Sequence, residues 1–311
     1  MATHAAERLP SGRQIEIRHG DQTAVVTEVG AGLRTYRAGG LDVLDGYGAW
    51  ERCSGGRGQL LLPWPNRLRD GRYAFAGRPQ QLPLTEPEQG HAIHGLTRWV
   101  SWTVREAAPD RCALACLVHP QPGYPFTLWL EARYHLDDSG LHVLVRATNQ
   151  GRDALPYAAG AHPYLRLDDG GLDTWQLRVP ARATLEMDAR AIPTGRLLPV
   201  AGTPVDFTEL RPIGRVRLDT CFTELDRDPD GLARVVLAGG SPRRQVTLWV
   251  PEDQPYLMVF TGDTLAEEGR RRRGLAVEPM TAAPNAFQNG LGLRTLAPGE
   301  EVRTRWGITP G

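Results

Sequence analysis

The chain has 311 residues, 41% of them hydrophobic and 23% charged, the balance of a globular protein with enough apolar side chains for a sizeable core. Its 36 basic residues cancel its 36 acidic ones, so no net field draws it onto nucleic acid or an anionic membrane, and a small molecule is the default partner. Every basic residue is an arginine. The lack of lysine removes Schiff-base, pyridoxal and P-loop chemistry, which need an amine that guanidinium cannot replace.

In chain order, the N-terminal stretch with His4, Glu7 and Arg8 among small residues has no apolar signal run. No segment approaches the roughly 20 apolar residues that span a bilayer, and a cytoplasmic protein is expected. Alternation of apolar and polar side chains predicts short strands over 14–18, 23–29, 33–36 and 112–118. From Phe126 to Leu136 the alternation is sustained, and it resumes at Leu141, Val143, Val145 and Ala147. Between the two lies the turn-prone Asp137-Asp138-Ser139-Gly140, so a long β-hairpin is predicted. Further strands are expected over 232–237, 245–250, 256–260 and 275–278. With 35 glycines and 25 prolines, few places remain for helices. The expected fold is all-β, a large antiparallel β-sandwich forming one domain over residues 1–311. Cys53, Cys112, Cys116 and Cys221 have neither CxxC nor framework spacing and read as free or buried thiols.

Three segments are richer in polar side chains, proline and aromatics than structural loops require. They are Asn66-Arg67 through His94-Gly95, Gly160-Ala161-His162-Pro163-Tyr164, and Glu278-Pro279-Met280-Thr281 through Pro284-Asn285-Ala286-Phe287. Pro163 holds His162 extended, and imidazole exchanges protons near neutrality. Glu278 ends an apolar run, where partial burial would make its carboxylate a better base. A lone histidine is more often a core residue bonded to a carbonyl, and a lone strand-end glutamate is more often paired with arginine.

Arg67, behind Pro63-Trp64-Pro65, offers a planar fork for vicinal hydroxyls or a ring oxygen, although a single arginine is commonly a surface group. His91 and His94 lie three apart, a metal-ligand spacing on a helix. No helical pattern surrounds them, and no metal is expected. Asp219 is an acid among strand-like residues, suited to sugar hydroxyls or to a turn. Trp64, Trp99, Trp102 and Tyr164 are candidates for a flat wall against a sugar ring. The run Arg270 to Arg273 reads as a solvated loop, with phosphate binding as the second reading.

Together these segments make the sequence resemble the aldose 1-epimerase (galactose mutarotase) family. The pieces that carry the resemblance occur in family order. They are Asn66-Arg67, Gly71-Arg72-Tyr73 through Gly77, Ile93-His94-Gly95-Leu96, Gly160 to Tyr164, Leu218-Asp219, Glu278 to Thr281, Pro284 to Phe287 and Leu296 to Glu300. The resemblance implies a mutarotase-like supersandwich that binds a monosaccharide and needs no cofactor. It implies that His162 protonates the ring oxygen while Glu278 takes the anomeric hydroxyl proton, with Arg67, His94 and Asp219 binding the substrate. Two departures bear on sugar preference: the 84–89 segment lacks an asparagine that many members carry, and Leu165 stands where phenylalanine is commoner. A hexose-6-phosphate 1-epimerase, with Arg67 or the arginine run clamping the phosphate, is the nearest rival. A non-catalytic sugar-binding module is the rival from another class. A glycosidase would want a second carboxylate that the sequence does not present.

Overall fold

A computed structural model describes residues 8–167, 170–240 and 244–311; the N-terminal reading at His4 and Glu7 lies outside the described residues. Two antiparallel sheets dominate. The larger has nine strands, running in space from Thr103–Ala107 through Arg111–Val118, Leu128–Asp137, Gly140–Asn149 and Glu301–Pro310. It continues through Arg244–Val250, Ala233–Gly239 and Gln176–Arg178 to Arg211–Pro212. Its centre is the predicted hairpin, with Asp137 opposite Gly140 and a two-residue loop. The strand begins at Leu128 rather than Phe126, whose ring instead packs edge-on against Tyr124 and Phe75.

The second sheet has eight strands. Pro193–Pro199, Ala181–Met187, Asp219–Leu225, Tyr256–Phe260, Leu275–Met280, Gly160–Ala161 and Leu60–Leu61 follow in order, and Tyr164–Leu165 also pairs with Leu275–Met280. The long Glu301–Pro310 strand, central to the first sheet, was not predicted. Its outward positions carry Glu301, Arg303 and Arg305, which dilute the apolar signal.

One core cluster joins the sheets. Leu130, Ala132, Tyr134, Val143 and Leu248 of the larger sheet and Phe222, Leu257, Val259 and Val277 of the smaller are buried in it. Burying these side chains supplies most of the driving force, at about 25 cal/mol per Å² of apolar surface. Register then decides what points the other way. Val259 lies opposite Val277, so the neighbouring pair Met258 and Glu278 faces away from the core, together with Cys221.

Glu278 is not at a strand end as the sequence suggested. It is the fourth of six residues in Leu275–Met280, and all six are buried, because one face meets the core and loops cover the other. On the flank of this strand the partner is interrupted: Gly160 pairs with Met280, and Tyr164 pairs with Ala276. The interruption is His162-Pro163, beside Glu278-Pro279. Proline has no N–H to donate to a ladder, so regular pairing lapses there and Pro163 accepts a single bond from the Val277 N–H at 3.1 Å. The four cysteines are free and buried, and no described helix is long and apolar enough to cross a membrane.

Candidate active site

Over the outer face of the eight-stranded sheet opens a cavity of about 520 Å³. His162, Glu278, Arg67, His94 and Asp219, drawn from five separate segments, all line it. His162 and Glu278 are 5% and 2% exposed, and Nε2 of the first lies 3.2 Å from Oε1 of the second.

Burial sets the protonation of this pair. Desolvation pushes the His162 imidazole down to about 3, with the Arg98 and Arg57 charges acting the same way against a backbone hydrogen bond. Desolvation also pushes the Glu278 carboxyl well above its usual range; Asp219 adds to the shift and Arg67 opposes it. Both directions favour a neutral imidazole and a carboxylic acid, so the 3.2 Å contact is a hydrogen bond from Glu278 to Nε2 rather than an ion pair. Nδ1 of His162 and Oε2 of Glu278 are buried and find no partner among the described residues.

The His162 ring is held from behind. It stacks on Tyr164 with centroids 5.0 Å apart and planes 10° apart. Tyr164 donates its hydroxyl to the Gly55 carbonyl at 2.9 Å and carries the Arg57 guanidinium 4.6 Å above its ring. Arg57 in turn donates from Nε to Asp45 at 3.1 Å, both side chains buried. Tyr164, expected as a sugar wall, thus spends one ring face on the histidine. Gly56 packs so close that a Cβ there would lie 2.6 Å from His162 Cδ2, and its φ of +75° suits glycine.

A small two-stranded ladder, Arg67–Arg69 with His91–Ile93, delivers Arg67 and His94. The Asn66 N–H donates to His94 Nδ1 at 3.1 Å, which leaves Nε2 of this neutral ring as the N–H donor. Desolvation is the first cause of the lowered His94 pKa, followed by the Arg98, His162 and Arg67 charges. His94 has φ +61° and Asn66 φ +55°, conformations that non-glycine residues hold where surrounding structure enforces them. The rings of His94 and His162 meet edge to face at 5.5 Å.

Arg67 differs from its sequence expectation. Its fork is engaged by Glu86, Nε to Oε2 at 2.8 Å and Nη2 to Oε1 at 2.9 Å. Glu86, in the 84–89 segment, is not among the residues that the sequence singles out, because an acid in a loop carries no local mark of the arginine it meets. Asp219 stands exposed to the cavity, its carboxyl raised by desolvation against the pull of Arg67.

The remaining expectations divide. Trp64 and Trp102 are buried in the core, and of the three tryptophans only Trp99, 54% exposed, lines the cavity, where Tyr164 joins it. None of Arg270 to Arg273 lines it. Arg270 binds Glu51 and the Gly46 carbonyl, Arg272 binds Asp173 and Asp263, and Arg273 lies 3.7 Å from Asp45. His91 turns its Nε2 to the Arg190 carbonyl at 3.0 Å and stands apart from the site. The donor atoms that do converge belong to His94, His162 and Glu278, all within 4.8 Å of one another, a set of residue types able to hold a metal ion.

This fold and cavity define the galactose mutarotase-like class of β-sandwich. The sequence pattern of the family described as Aldose 1-epimerase matches residues 13–309, and the chain belongs to that family. It is 32% identical over 299 residues to the uncharacterized protein YihR of Escherichia coli K12, covering 96% of this chain and 93% of that one. Human galactose mutarotase is 27% identical over 260 residues, covering 78% and 75%. Among solved structures, the GalM/aldose epimerase homologue from C. elegans superposes with a TM-score of 0.85 at 18% identity, covering 96% of this chain and 98% of that one.

Proposed function

We propose that the protein is an aldose 1-epimerase that interconverts the α and β anomers of a monosaccharide, working as one domain in the cytoplasm. The observation that carries this is the buried His162–Glu278 contact of 3.2 Å at the floor of an open cavity. Family membership supports the reaction class, and the core cluster running from Ile15 to Ile308 supports a single domain. The four reduced, buried thiols fit a reducing compartment.

The pair carries one proton, which rests on Glu278 in the free protein. As the sugar enters, its hydroxyls hydrogen-bond to Glu278 and stabilise the carboxylate, and the proton passes to His162. Glu278 then removes the proton of the anomeric hydroxyl while His162 protonates the ring oxygen. The C1–O5 bond breaks to give the open-chain aldehyde. Rotation about C1–C2 presents the other face of the carbonyl. Return of both protons closes the ring as the opposite anomer, with no net change in the protein. Two positioned weak groups acting on both ends of one bond replace the strong acid or base that water at neutral pH lacks. His94, as an Nε2–H donor, and Asp219 and Arg67 orient the ring.

Polarimetry of freshly dissolved α-D-glucose and α-D-galactose tests the reading. Mutarotation faster than in buffer, abolished by loss of either group, is expected; spontaneous rates for every aldose tried would end it.

A further inference from the structure

Arg67 and the 270–273 run are the arginines that the rival phosphate reading of the sequence would use, and the structure occupies them all with carboxylates or carbonyls. Two other arginines in the cavity are different. Arg98 is half-buried and lines the cavity, yet no carboxylate lies within ion-pairing distance among the described residues. Its guanidinium meets only neutral acceptors, the Gln59 Oε1 at 3.3 Å and the Ile93 carbonyl at 3.2 Å, and its Nε is buried without a partner. Arg52, exposed at the same cavity, also has no acidic partner among the described residues. Both guanidiniums approach the exposed Trp99 ring, at 5.8 Å for Arg98 and 6.0 Å for Arg52.

A cation kept half out of water with no counter-charge is costly, and a chain with as many acids as bases has no shortage of partners to offer. The acids of the cavity are committed elsewhere. Glu86 holds Arg67, Glu267 accepts from the Ser54 hydroxyl at 2.6 Å, and Glu278 faces His162. Asp219 faces the same cavity, its charge coupled to Arg67, Glu86 and Glu278. Arg98 feels the Glu86 charge but forms no ion pair with it, so neither cation of the wall at Arg52, Trp99 and Arg98 is paired among the described residues.

We infer that the cavity is built for an aldose bearing an acidic substituent, whose anion is received by Arg98 and Arg52 beside the Trp99 ring. This rests on the epimerase reading and names its substrate class. An anion there supplies the missing counter-charge, and guanidinium forks hold carboxylate, sulfonate and phosphate oxygens with charge-assisted hydrogen bonds. It would also offset the Arg98 charge, which acts against protonation of His162.

The test compares kcat/KM for glucose with that for its C6 carboxylate, C6 sulfonate and C6 phosphate counterparts, in wild type, Arg98→Gln and Arg52→Gln. Glutamine retains an amide donor for the Ile93 carbonyl, and Arg52 is exposed, so at least one variant keeps the fold. At least one acid is expected to exceed glucose by about tenfold or more, with the ratio collapsing in the variants through KM rather than kcat. The head group that gains most identifies which acid the wall fits. Turnover of glucose equal to or above that of all three acids overturns the inference and leaves the epimerase reading standing. If no sugar is turned over, the epimerase reading fails, and calorimetry decides the inference separately: acid binding that weakens in Arg98→Gln supports it, and equal binding of acids and glucose overturns it.

Discussion

Two histidine–carboxylate contacts of nearly equal length stand on opposite sides of this molecule. His142 Nε2 lies 3.1 Å from Asp137 Oδ1, with side chains 35% and 40% exposed; His162 Nε2 lies 3.2 Å from Glu278 Oε1, with side chains 6% and 3% exposed. The first lies by a groove of about 770 Å³ lined also by His135, Trp249 and several arginines, larger than the cavity over Glu278. Desolvation works against the Asp137 carboxylate, but hydrogen bonds from Ser139 and then His142 prevail and hold it down to about 2. Glu278 receives no such bonds and moves in the opposite direction. Residue type, distance and cavity size therefore do not make a reactive pair. Withdrawal from water does, because it leaves one proton to be shared between two groups that each resist charge.

Breaking the buried pair should have the largest effect. Glu278→Gln and His162→Asn are each expected to lower kcat by about 10³-fold, the usual reach of general acid–base catalysis, as read by polarimetry. Glu278→Gln should also be more stable than wild type at about pH 8 and no more stable at about pH 4. A carboxyl whose folded pKa is raised binds its proton more tightly folded than unfolded, so its contribution to stability declines as pH climbs from 4.5 towards the folded value. Glutamine does not ionise and keeps a donor for His162. Thermal melts at the two pH values would show this, and a variant less stable at both would contradict the assigned burial effect.

Next comes the support of the ring. Gly56→Ala puts a methyl group 2.6 Å from His162 Cδ2 at a φ of +75°, and should cost about 10²-fold in kcat together with a lowered melting temperature. An unchanged kcat would mean that the ring does not depend on this wall.

The pH profile sharpens the comparison further. The competent pair holds a single proton, and His162 accepts a second only near pH 3, so kcat/KM should show no acid limb around 6.5. At alkaline pH it should fall as Glu278 gives up the shared proton. An acid limb near 6.5 would contradict the burial effect assigned to His162. The smallest effect belongs to the exposed pair. Asp137→Asn should leave anomerisation within about twofold and change stability by less than about 1 kcal/mol, as exposed ion pairs do.

Much of the architecture was legible in the residues. Period-two alternation from Leu128 to Ala147 located the central hairpin, because a strand with one buried face must alternate. The strands Gln14–His19, Arg111–Val118, Arg244–Val250 and Tyr256–Phe260 were found the same way. Strands whose two faces are both wet or both buried were missed or cut short. Pro193–Pro199 is exposed or half-exposed throughout, and Leu275–Met280 is buried throughout, so its extent beyond Glu278 did not show as alternation. Within the site, proline after His162 and after Glu278 marked both positions, since each interrupts a ladder at the same level. Glu86, Arg98 and Arg52 carried no such mark, because an acid or arginine in a loop has no local signature of its partner.

The sequence by itself determined the fold class, since periodicity is a local property of the chain, and its resemblance to the aldose 1-epimerase family nominated the five residues that line one cavity. Only the tertiary structure decided that the Arg67 fork is held by Glu86, that Arg98 has no ion-pair partner among the described residues, and that Glu278 sits in mid-strand, withdrawn from water. Those outcomes depend on which side chains meet across sheets and loops, and on how much solvent the meeting excludes, neither of which is encoded at any single position.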